Sequence, residues 1–219
     1  MRMFHIITIV FTLLVQSTFG QRSLSEGTLV YDILVETNNK EPKMADAFDG
    51  ATSTIYLKGS NSRVDMVSML GTERTFHDAQ TGAATILKEY SGQKLMITLK
   101  SENWIEKTQL VSNIRFQDQP ETKVLSGYNC NKATGQLNDG TAIVVFYTKE
   151  LIPTNREYDP MFKSLPGLPL QYELNRGNTK FVYTANRIDF TPVPASMFEI
   201  PPGYRMMTYE ESKSRKPTR

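Results

Sequence analysis

The stretch Thr28-Leu29-Val30-Tyr31-Asp32-Ile33-Leu34-Val35 puts Leu29, Tyr31, Ile33 and Val35 on one side and Thr28, Val30, Asp32 and Leu34 on the other. A period of two is the side-chain repeat of a β-strand with one face on a core. The same alternation returns in Ser53-Thr54-Ile55-Tyr56-Leu57-Lys58, in 94–100 and in 181–186. Turn signals separate these runs at roughly ten-residue intervals, the spacing of an all-β sandwich or barrel. Lys58-Gly59-Ser60-Asn61, Ser91-Gly92, Asn138-Asp139-Gly140 and Arg176-Gly177-Asn178 supply residues that tolerate φ > 0, as tight hairpins require. Strands are therefore expected near 27–36, 52–59, 62–70, 73–79, 83–90, 93–100, 122–137, 141–149, 168–175 and 178–190, with consecutive strands antiparallel.

Helical signal is confined to short pieces: 42–49, a Ser101-capped turn carrying Trp104 and Ile105, 159–164 and 195–198. No repeat, low-complexity tract or linker interrupts the chain, so residues 21–210 read as a single domain. Ahead of it, Arg2, the apolar run from Phe4 to Val15 and the small residues of Ser17-Thr18-Phe19-Gly20 have the layout of a signal peptide over 1–20. Cleavage before Gln21 would leave an exported protein, periplasmic or secreted. The apolar run is shorter than the roughly 20 residues of a membrane span, no second run follows, and no Cys stands at the cleavage site to take a lipid anchor.

Charge and residue inventory exclude several classes. Of 25 Lys and Arg, Arg2 leaves with the signal peptide, so the mature chain sets 24 basic against 23 acidic side chains. That near-neutrality argues against a nucleic-acid partner. The basic tail over 211–219, with Lys213, Arg215, Lys216 and Arg219, reads as a solvated end. Beyond the signal peptide there is one histidine, His77, and one cysteine, Cys130. A zinc site of Cys and His ligands needs three or four such side chains, and a single Cys forms no disulfide within the chain, so Cys130 reads as a small buried hydrophobe. His77 lies in the alternating Thr75-Phe76-His77-Asp78, where a residue of a strand face is the plain reading. Ser91-Gly92-Gln93-Lys94 has the letters of a Ser-x-x-Lys motif but joins two alternating runs, which makes it a hairpin. No Gly-x-Ser-x-Gly elbow and no Gly-rich phosphate loop occurs. No cofactor, metal or catalytic group is expected, and the chain reads as a non-enzyme.

Four segments carry a resemblance. They are Thr122-Lys123-Val124-Leu125-Ser126-Gly127-Tyr128-Asn129-Cys130-Asn131-Lys132-Ala133, Phe146-Tyr147-Thr148-Lys149-Glu150-Leu151, Leu165-Pro166-Gly167-Leu168-Pro169-Leu170 and Met197-Phe198-Glu199-Ile200-Pro201-Pro202-Gly203-Tyr204. In this order they resemble an exported bacterial family of the Bacteroidota type, a domain of unknown function known by its Gly-Leu-Pro-Gly-Leu-Ile motif. Ser164 replaces the first Gly of that motif, and Pro169-Leu170 stands at its end where the family has Ile. The family is similar in fold to the lipoprotein carriers LolA and LolB and to the sensor RseB. The resemblance implies a mainly β protein, a curved antiparallel sheet forming an incomplete, half-open barrel with a few short helices. It also implies a lipid or acyl chain as ligand.

Strand parity then proposes the lining of the apolar cavity: Tyr31, Ile33, Ile55, Leu57, Met66, Leu95, Ile97 and Trp104. The glycines and aromatics of the four segments also have a scaffold reading: Gly127 and Gly167 allow backbone positions that a Cβ would hinder, and Phe198 with Tyr204 would plug a barrel end. Three functions follow in order: a periplasmic carrier or envelope sensor of an apolar ligand, a protein-protein interaction module of the cell envelope, and an unrecognised hydrolase. The first predicts a cavity, the second a surface patch, the third converging titratable groups.

Overall fold

The computed structural model describes residues 20–37 and 44–214; the expected signal peptide, the start of the 42–49 turn and the end of the basic tail lie outside these residues. In chain order the elements are β1 (Arg22–Leu24), β2 (Glu26–Thr37), β3 (Thr52–Lys58), β4 (Asn61–Ser68), β5 (Gly71–Asp78), β6 (Ala84–Tyr90), β7 (Gln93–Leu99), α1 (Ser101–Thr108), β8 (Gln117–Leu125), β9 (Tyr128–Gln136), β10 (Ala142–Thr148), β11 (Leu151–Pro153), β12 (Leu168–Arg176), β13 (Thr179–Asp189), β14 (Arg205–Thr208) and α2 (Tyr209–Ser214). Twelve strands form one sheet in the order β14-β7-β6-β5-β4-β3-β2-β13-β12-β10-β9-β8, and β1 pairs with β11 beside it. The sheet curves without closing into a barrel, as expected.

Register explains why the alternation is so regular. Leu29, Ile55, Val64, Thr75, Ile86, Ile97 and Met207 are successive cross-strand partners and make one row over seven strands. Opposed residues share a face, so this row marks the inner face, where β2 buries Leu29, Tyr31 and Ile33. A slip of one residue would send the whole row to the other side.

Three buried clusters divide that face. Leu29, Tyr31, Ile55 and Leu57 pack with Cys130, Phe146, Leu168 and Leu170. Ile143, Val145 and Tyr147 pack with Ile114, Phe162 and Leu165. At the far end Ala84, Ile86, Ile97, Leu99 and Met207 meet Trp104 of α1 and Tyr209 of α2. Each fully buried aliphatic side chain contributes about 1.5–3 kcal/mol, so the first two clusters hold the β2–β3–β10–β12 region as a filled core.

The outer face carries a strap. Between β13 and β14 the chain crosses the sheet, held by Lys58 Nζ donating to the Val193 carbonyl at 2.8 Å and Arg63 Nη1 donating to that of Met197 at 2.7 Å. It ends at Tyr204, which hydrogen-bonds Glu89 and Arg74. Tyr204 therefore fastens the strap to an Asp65–Arg74–Glu89 network instead of plugging a barrel, because the sheet has no closed end to plug. Phe198 sits in the short helix Ala195–Phe198 of the same strap.

Two expectations change. The strand expected over 122–137 is a hairpin, β8 and β9, turned by Ser126 (φ 48°) and Gly127 (φ 82°); two consecutive positive φ values are the signature of a tight type I′ turn. Consecutive strands that pair do so antiparallel, as expected; the parallel pairs, β14 with β7 and β1 with β11, join strands far apart in the chain. The short helix expected over 159–164 lies earlier, at Arg156–Tyr158. The Leu-Pro-Gly-Leu-Pro-Leu motif is built into the core: Leu165, Leu168 and Leu170 are fully buried, and a Cβ on Gly167 would stand 1.9 Å from the Thr148 carbonyl oxygen.

Candidate functional site

At the β7 end a cleft opens beside the third buried cluster of the inner face. Ile86, Leu95, Ile97 and Met207 form the floor of a cleft of about 580 Å³, walled by Glu106, Lys107 and Gln109 on one side and Tyr209, Ser212 and Lys213 on the other, with Lys88 at its edge. The volume lies inside the roughly 300–1,000 Å³ of small-molecule sites. Local sequence explains the walls. α1 sets Trp104 and Glu106 on different faces, Trp104 going into the sheet where its ring stacks on His77 at 4.8 Å. α2 has only six residues, too few to hold by propensity. It is started by a reciprocal cap in which Glu211 Oε2 accepts from the Thr208 backbone N–H at 2.7 Å and the Glu211 N–H donates to Thr208 Oγ1 at 3.2 Å.

Charges ring the floor in pairs. Lys88 meets Glu73 at 2.9 Å, and Glu73 also accepts from Tyr90 Oη at 3.3 Å. Lys213 reaches Glu106 across the cleft at 3.0 Å and Glu210 on its own helix at 2.8 Å. Both partners hold the Lys213 ammonium above the usual lysine pKa. The result is an aliphatic floor with a polar, charge-balanced rim, able to take an apolar group and leave a polar end near water.

All seven strand residues proposed for the lining lie on the inner face, but the structure distributes them. Leu95 and Ile97 line the cleft. Trp104 packs beside it in the same cluster. Met66 is half-buried between Ser53 and Glu73 on the intervening strands. Tyr31, Ile55 and Leu57 belong to the first core cluster, where Tyr31 Oη donates to the Pro169 carbonyl at 2.7 Å. Ile33 is buried opposite Tyr183. Parity alone also reaches Ile86, two residues from Ala84 on β6; Met207, Tyr209 and Lys213 escape it because β14 and α2 are too short to show a period. Their one signal is Thr208-x-x-Glu211, a capping box.

Further titratable groups lie outside the cleft. His77 is buried with Nδ1 unpartnered, and burial lowers its pKa against the pull of Glu157 and Asp78. It borders a smaller hollow of about 240 Å³ shared with Asp78, Phe198 and Ile200. Cys130 is fully buried and its thiol is pushed up to about 11 by burial. Asp159 faces Tyr31, Tyr158, Tyr172 and Tyr183, and burial raises its carboxyl to about 6. Among the described residues no group of three or more His, Cys, Asp or Glu is placed to hold a metal, and no helix is long and apolar enough to cross a membrane.

No family model matches the chain, and no curated protein matches it. Among solved structures it is similar to PNGF-II, at 14% identity and a TM-score of 0.50 over 87% of this chain and 33% of PNGF-II. The chain thus spans about a third of that protein, and the likeness is one of fold. Weaker likenesses are to the lipoprotein LppX of Mycobacterium tuberculosis, with 12% identity, TM-score 0.39, 76% of this chain and 88% of LppX. MucB in its complex with MucA from Pseudomonas aeruginosa has 10% identity and TM-score 0.42, over 80% of this chain and 56% of MucB.

Proposed function

We propose that this protein is an exported, non-catalytic binder of an apolar ligand, a lipid or acyl chain, acting as a carrier or envelope sensor. The observation that carries the reading is the cleft: half-buried Leu95, with the buried Ile86, Ile97 and Met207 beneath α1 and α2, makes an aliphatic floor at one end of the inner face. Apolar surface left lining a concave site has a driving force for an apolar guest of about 25 cal/mol per Å² covered. The signal-peptide pattern over 1–20 and the four-segment family resemblance support the same reading. Native mass spectrometry of protein purified from its own envelope tests it. A lipid-sized adduct that disappears in a folded Leu95→Lys, Ile97→Lys variant is expected; a ligand-free protein that also ignores added lipids overturns the reading.

A second reading, a module that docks an envelope protein, is favoured by the β4–β5 hairpin, where Val67, Met69 and Leu70 are 48%, 85% and 41% exposed. Loss of a partner on Met69→Asp with ligand binding unchanged would separate the two.

A further inference from the structure

The cleft has an uneven roof. Its floor belongs to strands paired along their length, and α1 is tied down by the stack of Trp104 on His77. α2 has no buried residue. It rests on Tyr209, half-packed into the far cluster, and on Lys213, whose bond to Glu106 joins the two walls over the floor. Side chains 36% and 48% exposed make that pair a weak, salt-screened fastening.

The geometry points to α2 as a lid on the cleft, pivoting where β14 ends at Thr208 and latched by the Lys213–Glu106 pair. The inference rests on the proposed ligand-binding reading, because a lid matters only over a site that is filled and emptied. Met207 pairs with Ile97 in the sheet and stays in the floor when α2 swings, so opening exposes Ile97 and Leu95 without unpairing a strand. The capping box keeps α2 helical while it moves, since both of its partners, Thr208 and Glu211, lie on the lid side of the pivot or at it. Elements held by few buried contacts are the ones that open locally at low cost.

A thiol placed in the floor reads the lid without any ligand. In a Cys130→Ser, Ile97→Cys protein, modification by a maleimide is expected to speed up several-fold when Lys213→Glu sets like charges against Glu106 and Glu210, and also at high salt. Adding Glu106→Lys to Lys213→Glu should return the rate toward the parent value. Circular dichroism of each variant establishes that it is folded; should Ile97→Cys not fold, Leu95→Cys, a half-buried floor residue, takes its place. Equal reactivity in the parent, the reversal and the charge swap would overturn the lid, whatever the lipid measurement shows. A missing lipid adduct with charge-dependent reactivity would instead remove the ligand reading and leave the moving helix.

Discussion

Asp159 shows most clearly how a single side chain is set by its surroundings. It stands after the short helix Arg156–Tyr158, its Oδ1 accepting the Met161 N–H at 3.0 Å, and faces a group of tyrosines. Its carboxyl is raised from 3.8 to about 6. A folded pKa above the unfolded one means that the native state binds the proton more tightly, so this contribution to stability is full below about 3.8 and is lost as pH rises through about 6. Asp159→Asn keeps the acceptor for Met161 and removes the charge. It is expected to stabilise the protein near neutral pH by on the order of 1–2 kcal/mol, the residue being only half-buried, and to change little in acid below the unfolded pKa. Urea titrations under the two conditions check this. His77 works in the opposite sense: its lowered pKa costs stability as pH falls below 6.5, so Asp159→Asn should be compared with its parent at each pH. Gly167 is a second residue-scale case. With only 1.9 Å between the position a Cβ would take and the Thr148 carbonyl oxygen, Gly167→Ala is expected to cost on the order of 3 kcal/mol or more, visible as a lowered urea midpoint. That glycine was legible from its motif as a scaffold residue. The partition of the inner face was not: parity aligns Tyr31 with Leu95 across the sheet but is blind to the irregular segments that cover Tyr31 and spare Leu95.

At the scale of elements, sequence periodicity locates every strand of the β2–β7 meander closely, because each alternates and each is bounded by a turn with a steric requirement. It fails where the pattern is short or overwritten. β8 carries Gln117, Asp118, Gln119 and Glu121 around Pro120, and its ladder with β9 skips between Asp118 and Thr122. A proline and a bulge blunt a sheet edge against further pairing, and the same residues hide the strand from hydrophobic counting. β14 is too short to show a period and α2 runs into what reads as a charged tail from 211, yet the Thr208–Glu211 cap turns the start of that tail into a wall of the cleft. Removing the cap hydroxyl in Thr208→Ala is expected to weaken α2 by about 0.5–2 kcal/mol. Hydrogen exchange should then quicken at 209–214 while β2, β3 and β13 keep their protection; faster exchange throughout the sheet would show that α2 supports the whole fold and not only the cleft.

The whole molecule is a curved sheet with one packed end and one open end. β2, β3, β10, β12 and β13 close around two aromatic and aliphatic clusters, with Tyr172 stacked on Tyr183 at 4.4 Å, while β6, β7 and β14 form the aliphatic floor of a cleft beneath two short helices. The strap on the outer face connects these ends, running from Glu26 and Lys58 to Glu89. It carries the chain to the edge where β14 completes the floor. The central claim is that this open end, and not the packed one, receives an apolar ligand. The most direct test is photolabelling with a long-chain fatty acid bearing a diazirine near its methyl end, followed by peptide mapping. Labels on the β6, β7 and β14 peptides that carry Ile86, Ile97 and Met207, diminished by an unlabelled chain, are the predicted result; labels confined to the Val67–Leu70 hairpin, or none that an unlabelled chain displaces, would contradict it.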